Sequence, residues 1–150
     1  MKKIIEKEVE VNVSEEINFN ATKKNLDSLF QKYRSYKLKE DIIRKRTNTS
    51  LSLDNLGIYS NSISNPTANK VEQLSRYTEF TDLIDKTYEL FCYQLTKDEK
   101  IIYKKTLMNK LTDEEVMEEL LLNSPKNYYA RKKNCYVKVA MWFDLEVYKD

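Results

Sequence analysis

Seven residues between positions 126 and 134 carry the best chemistry in the chain: Lys126, Asn127, Tyr129, Ala130, Arg131, Lys133 and Asn134. On the outer face of a helix, Asn and Arg can pair their hydrogen bonds with adenine and guanine edges in a major groove. Lysines nearby can meet phosphates, and a small Ala lets the helix approach or touch a thymine methyl. These are the candidate DNA-binding residues, and double-stranded DNA is the partner they imply. Enzyme chemistry is poorly served by comparison. The chain has no His, so it lacks the usual general base at neutral pH and the commonest metal ligand. Cys92 and Cys135 have no ligand spacing, and Gly57 stands alone where a phosphate loop needs several glycines. The acidic run at 113–115 opens a helix, where the dipole accounts for it. The expectation is a non-enzyme with no catalytic residue, metal or cofactor.

Such a face needs a helix held from behind, and the sequence supplies one. Thr112-Asp113-Glu114-Glu115 has the form of a capping box, in which the Thr hydroxyl takes the Glu115 amide and the Glu115 carboxylate answers. Val116, Leu120 and Met117 give that helix a buried side. Leu121-Leu122-Asn123 ends it, with Asn123 expected in the left-handed conformation that such a turn needs. Ser124 then caps the next helix, and Pro125 takes its first position, where no amide is required. Tyr128, Lys132, Cys135 and Val139 fall on one face and should pack inward, the stem of Lys132 covering the edge. Residues 112–140 therefore read as a helix-turn-helix, although capped helix pairs with tight turns also occur in ordinary bundles.

The remaining elements follow from composition and period. One Gly and two Pro in 150 residues exclude sheet folds with frequent turns. The fold class expected is all-α, a small helical bundle with a C-terminal helix-turn-helix and a short N-terminal extended arm. Residues 1–19, with Val9, Val11 and Val13 alternating, form that arm, or an edge strand if a partner supplies the other half. Residues 20–46 form a basic helix capped by Asn20, with Leu26, Leu29, Phe30, Tyr33, Tyr36 and Leu38 as its stripe. Residues 47–69 lose periodicity and read as an irregular linker. Residues 70–150 form the helical domain. Its first helix runs to about Leu95 with Val71, Leu74, Tyr77, Phe80 or Thr81, Ile84, Tyr88 and Phe91 inward. A second capping box, Thr96 to Glu99, starts the next helix, which buries Ile101, Ile102, Leu107 and Met108.

Charge is segregated more than its total of +2 reveals. Nine Lys or Arg stand against three acids from Lys23 to Arg46, five acids and no base from Thr112 to Glu119, and five bases and no acid from Leu120 to Phe143. Basic surfaces of this kind suit a polyanion, while solvated helix faces are the plain alternative. No segment reads as a signal peptide or membrane span, so the expected setting is a reducing cytoplasm with free thiols and no membrane partner.

The stretch LTKDEKIIYKKTLMNKLTDEEVMEELLLNSPKNYYARKKNCYVKVA resembles the C-terminal half of the ArpU/RinA group of phage and prophage transcriptional regulators. It is similar, more distantly, to the DNA-reading region 4 of sigma factors. The resemblance rests on TKDEKIIYKKTL after Leu95, on LTDEEVMEEL, Ser124, Tyr128-Tyr129 and Lys132-Lys133, and on small residues at Cys135 and Ala140. ATKKNLDSLFQKYRSYK is similar to that group's first helix. Leu122-Asn123 stand where a glycine is usual, and Met117-Glu118 where a small residue is. The resemblance implies activation of late phage or mobile-element genes through upstream DNA. The basic first helix could then add phosphate contacts or touch RNA polymerase, and a homodimer would be compatible. A protein-interaction module using Tyr136, Trp142, Phe143 and Tyr148, or a DNA-packaging recognition subunit, are the other readings the sequence leaves open.

Overall fold

The computed structural model describes residues 16–48, 66–121 and 124–150. The valine alternation at 9–13, the stretch 49–65 and the pair Leu122-Asn123 lie outside the described residues. Five α-helices are present among the described residues: α1 (Phe19–Asn48), α2 (Pro66–Phe91), α3 (Lys97–Ile102), α4 (Asp113–Glu119) and α5 (Pro125–Trp142). Extended pairing among these residues is confined to one antiparallel bridge between Ile17 and Tyr148. The all-α fold class is therefore what the chain adopts. It divides into two compact units, one formed by residues up to Gln31 together with Thr87–Asp150, the other by Lys32–Lys86. Both boundaries fall inside long helices, α1 and α2.

Helix α1 starts earlier than the sequence suggests. Its cap is Asn18, whose Oδ1 accepts the Ala21 amide at 3.1 Å, and not Asn20. The reason lies at the other end of the chain. Asn18 N–H donates to the Val147 carbonyl at 2.7 Å and Lys149 N–H to that of Glu16 at 2.8 Å. Val147 N–H reaches the buried Thr22 hydroxyl at 3.0 Å. Ile17 therefore pairs with the chain's own C-terminal segment. Ile17 is buried there.

In the larger unit, Leu26, Phe30, Phe91, Leu95, Ile102, Tyr103, Leu107, Val116 and the inner face of α5 form the core. Its centre is aromatic. Tyr88 stacks on Tyr103 with centroids 4.4 Å apart, and Phe30 meets Tyr103 edge-on at 5.4 Å. Phe91 contacts Phe143 at 5.9 Å and Trp142 at 5.8 Å, so Trp142 closes this core as a lid that is still partly exposed. Edge-to-face and offset pairs of this kind each add about 0.5–1.5 kcal/mol beyond the area they bury.

The helix from Thr96 departs from a plain α-helix. After Ile102 the backbone widens to π geometry over Tyr103–Met108. The Thr106 hydroxyl donates to the Ile102 carbonyl at 2.6 Å, competing with the backbone for that acceptor. The extra residue per turn rotates the buried face. Tyr103 and Thr106 go inside with Ile102 and Leu107, while Ile101 and Met108 are only half-buried.

In the smaller unit, Tyr33 and Ile84 are buried with Thr81 and Glu40. Tyr33 O–H donates to Asp85 at 2.6 Å, and Lys37 pairs with the same carboxylate at 3.2 Å. Burial, then the Asp85 hydrogen bond, raises the Tyr33 phenol. The Thr81 hydroxyl donates to Glu40. Two residues assigned to inward stripes face out instead: Leu38 is 60% and Val71 61% exposed. Glu40 and Thr81 take interior places because each satisfies the other, a pairing that a hydrophobic count passes over.

Candidate nucleic-acid interface

The site begins with helix α5 and what holds it. Ser124 caps it, its Oγ accepting the Asn127 amide, and Pro125 occupies the first turn. Asp144 closes the far end with a positive φ of 57°. Asp144 N–H returns to the Met141 carbonyl and Leu145 N–H to that of Ala140, a Schellman closure. With both ends capped, the inner face packs as its spacing implies. Tyr128, Lys132, Cys135 and Val139 are all buried, joined by Tyr136, Val137 and Ala140.

Polar contacts to α4 and α3 help lock that face. Tyr128 O–H donates to Asp113 Oδ1 at 2.7 Å, and Lys132 Nζ meets the same oxygen at 2.8 Å. One carboxylate at the start of α4 therefore holds two residues a turn apart on α5. Burial raises the Asp113 carboxyl, but hydrogen bonds from Lys132 and Tyr128, with the charges of Lys132 and Lys23, outweigh it and hold it below the usual range. The Tyr128 phenol is pushed up by burial and by its bond to Asp113. Against α3, the Cys135 thiol reaches the Glu99 carbonyl at 3.4 Å, and Lys138 Nζ meets Glu99 Oε1 at 2.9 Å. Burial, then the nearby Glu99 charge, raises the Cys135 thiol strongly. Lys132 is thus more than a stem along an edge: its ammonium is inside, with a side chain 8% exposed.

Only part of the turn before α5 lies among the described residues. The left-handed residue among the described positions is Leu121, with φ 56°, and its side chain is 84% exposed. Asn123, expected in that role, lies outside the described residues. Helix α4 runs out at Glu119, and the Leu120 and Leu121 amides bond back to Val116 and Glu118. The chain has to reverse at Leu121 for the helix end to close. At Thr112, the hydroxyl accepts the Glu115 amide at 3.3 Å, the first half of the expected box. At Thr96 both halves form.

Of the seven expected DNA-binding residues, Lys126, Asn127, Tyr129, Ala130, Arg131 and Asn134 are exposed, and Lys133 is half-buried. Tyr129 packs its ring 5.2 Å from that of Tyr128 at the border of the face. Arg131 and Asn134 turn toward α3 and line an open cleft of about 390 Å³ with Thr96, Asp98, Glu99 and Lys138. Arg131 Nη1 is ion-paired there with Asp98. Helix α5 itself carries no acid between Pro125 and Trp142, so the carboxylate on this guanidinium comes from another helix.

No family model, curated protein or solved structure matches this sequence.

Two residues of the site were not singled out by sequence reasoning, Asp98 and Asp113. Both sit in first helical turns, where an acid is fully accounted for by the dipole. Their partners lie 33 and 19 residues away, and no local pattern names them. The basic stretch of α1 also differs from its outline. Lys32 lies over the Phe80 ring at 4.5 Å and Lys39 over Tyr77 at 5.4 Å. Lys37 and Lys45 pair with Asp85 and Asp41. Several of its cations are therefore engaged within their own unit. Among the described residues, no group of three or more His, Cys, Asp or Glu is placed to hold a metal, and no helix is long and apolar enough to cross a membrane.

Proposed function

We propose that this protein is a sequence-specific DNA-binding regulator that lays α5 along a major groove, as its resemblance to phage late-gene activators implies. One observation carries the reading. Helix α5 is fixed on its inner face by Asp113 and by the Glu99 carbonyl, while Lys126, Asn127 and Ala130 stand exposed and Arg131 and Asn134 line the open cleft beside α3. A rigid helix showing amides and cations, with no acid of its own, suits base edges flanked by phosphates. Asn127 and Ala130 lie near the start of the helix, the end that reads bases in helix-turn-helix proteins. Contact with RNA polymerase and pairing of two copies belong to the same proposal.

The test is selection from a pool of random duplex DNA at two salt concentrations, followed by sequencing. An enriched motif is expected, with overall binding that weakens steeply as salt rises. Asn127→Ala and Arg131→Ala should each relax preference at one position, at a cost of about 1–3 kcal/mol of discrimination. A motif left intact by both substitutions would show that the reading face is elsewhere.

A second reading, docking to a protein, has its own observation. Trp142 Nε1 donates to Gln94 Oε1 at 2.6 Å, and Gln94 Nε2 donates to the Tyr93 hydroxyl at 3.1 Å. This joins two partly exposed aromatics, Tyr93 being 73% exposed. Aromatics with polar handles are favoured at interfaces. Salt-insensitive capture of a protein partner, with no retention on DNA, would favour this reading over the first.

A further inference from the structure

We infer that Asp98, which lies outside the two-helix unit, is a specificity-determining residue that aims the Arg131 guanidinium at a guanine. The inference rests on the reading of α5 as a DNA-recognition helix and names a residue that acts through it. Asp98 stands at the second position of α3, between Thr96 and Glu99, the two residues that close the capping box. Glu99 is fixed in turn to α5, through Lys138 at 2.9 Å and through the Cys135 thiol at 3.4 Å. The backbone carrying Asp98 is therefore tied on both sides. Its carboxylate meets a guanidinium that springs from the same tied helix, four residues before Cys135.

Stability does not account for this pair. Both side chains remain open, Arg131 at 44% and Asp98 at 35%, and exposed pairs contribute little to folding. Orientation does account for it. The pair engages Nη1 of Arg131, and a guanidinium carries five N–H donors in a planar fork. The Nε–Nη2 edge is left to address the O6 and N7 acceptors of a guanine with two parallel bonds. A free arginine loses rotamer freedom on making such a contact. One already held by Asp98 has lost much of it beforehand, so the same contact discriminates better. Asp98 also adds a negative charge beside the groove. Its removal should strengthen binding to DNA at large while weakening the choice of base.

The experiment repeats the duplex selection with the full chain and its variants Asp98→Asn, Asp98→Glu and Arg131→Ala, each checked for unchanged melting. Arg131→Ala should abolish preference for guanine at one position of the motif. Asp98→Asn should lower that same preference by about 2- to 10-fold, the equivalent of freeing one long side chain. Affinity for mixed DNA should hold or rise. Asp98→Glu, which keeps the carboxylate, should restore part of the loss. A uniform rise in affinity from Asp98→Asn, with the guanine preference untouched, would make Asp98 a bystander charge and overturn the inference while leaving the DNA reading in place. A wild-type chain that enriches no motif would remove both. Loss of preference at a position that Arg131→Ala does not affect would also overturn it, since Asp98 would then act by another route.

Discussion

Replacing Asp113 by Ala removes the one acceptor that both Tyr128 and Lys132 use to hold α5. The Lys132 side chain is only 8% exposed and Tyr128 is fully buried. The ammonium would then be left inside without its counter-charge. Breaking a buried pair from one side costs about 3–5 kcal/mol. Asp113 is itself 26% exposed, so water can partly replace it and the lower end applies. An orphaned Tyr128 hydroxyl adds roughly 1 kcal/mol. The expected loss is about 3–4 kcal/mol, or ~6–15 °C in melting temperature for a chain of this size. Lys132→Met removes the same ion pair from the other side, but the carboxylate it leaves is 26% exposed and keeps its bond from Tyr128. Water reaches that charge, so the change should cost about 1–2 kcal/mol, less than Asp113→Ala. Thermal and urea unfolding followed by far-ultraviolet circular dichroism would measure both. The pH dependence supplies a second check. The folded Asp113 carboxyl is held below its usual range, so its contribution is complete above the unfolded value of about 3.9 and is lost as pH falls through the lower folded value. The gap between wild type and Asp113→Ala should therefore narrow on acidification below about pH 4. Equal losses from the two substitutions, or a gap that does not shrink in acid, would refute the account of Asp113 as the buried counter-charge.

Two further outcomes follow from single residues. Leu121 holds a left-handed φ of 56° with its side chain in solvent, so Leu121→Gly should relieve the clash at little packing cost. A gain of about 0.5–1 kcal/mol in the urea-derived stability is expected, and a loss would show that the Leu121 side chain has a contact of its own. Cys135 is buried and its thiol is pushed up by burial, whereas Cys92 is half-buried. An aromatic disulfide reagent at mildly alkaline pH should titrate Cys92 in the native protein and both thiols only after denaturation. Prompt native reaction of Cys135 would mean that the α3–α5 contact opens readily.

The short-range signals are legible in the sequence. Thr96 with Glu99, Ser124 with Pro125, and the inward run Tyr128, Lys132, Cys135 and Val139 depend on residues within a few turns of one another, and the structure forms each of them. The failures share a different cause. Asn20 was the obvious cap for α1, but the cap is Asn18, next to the bridge between Ile17 and Tyr148. Leu38 continued a stripe by spacing, yet the interior place went to Glu40, which Thr81 satisfies from another helix. The α-helix from Lys97 was expected to continue, but it becomes π-helical at Tyr103, and that decides which residues of 101–108 face the core.

The candidate site divides along the same line. That α5 would be capped, basic and amphipathic was determined by its own 18 residues, because a helix presents every third or fourth side chain together. That it would be anchored through Asp113, and that Arg131 would meet Asp98, only the tertiary structure decided. Those carboxylates sit where helix dipoles already explain them, and an ion pair between helices is set by which first turns packing brings against α5. Sequence spacing carries no record of that distance.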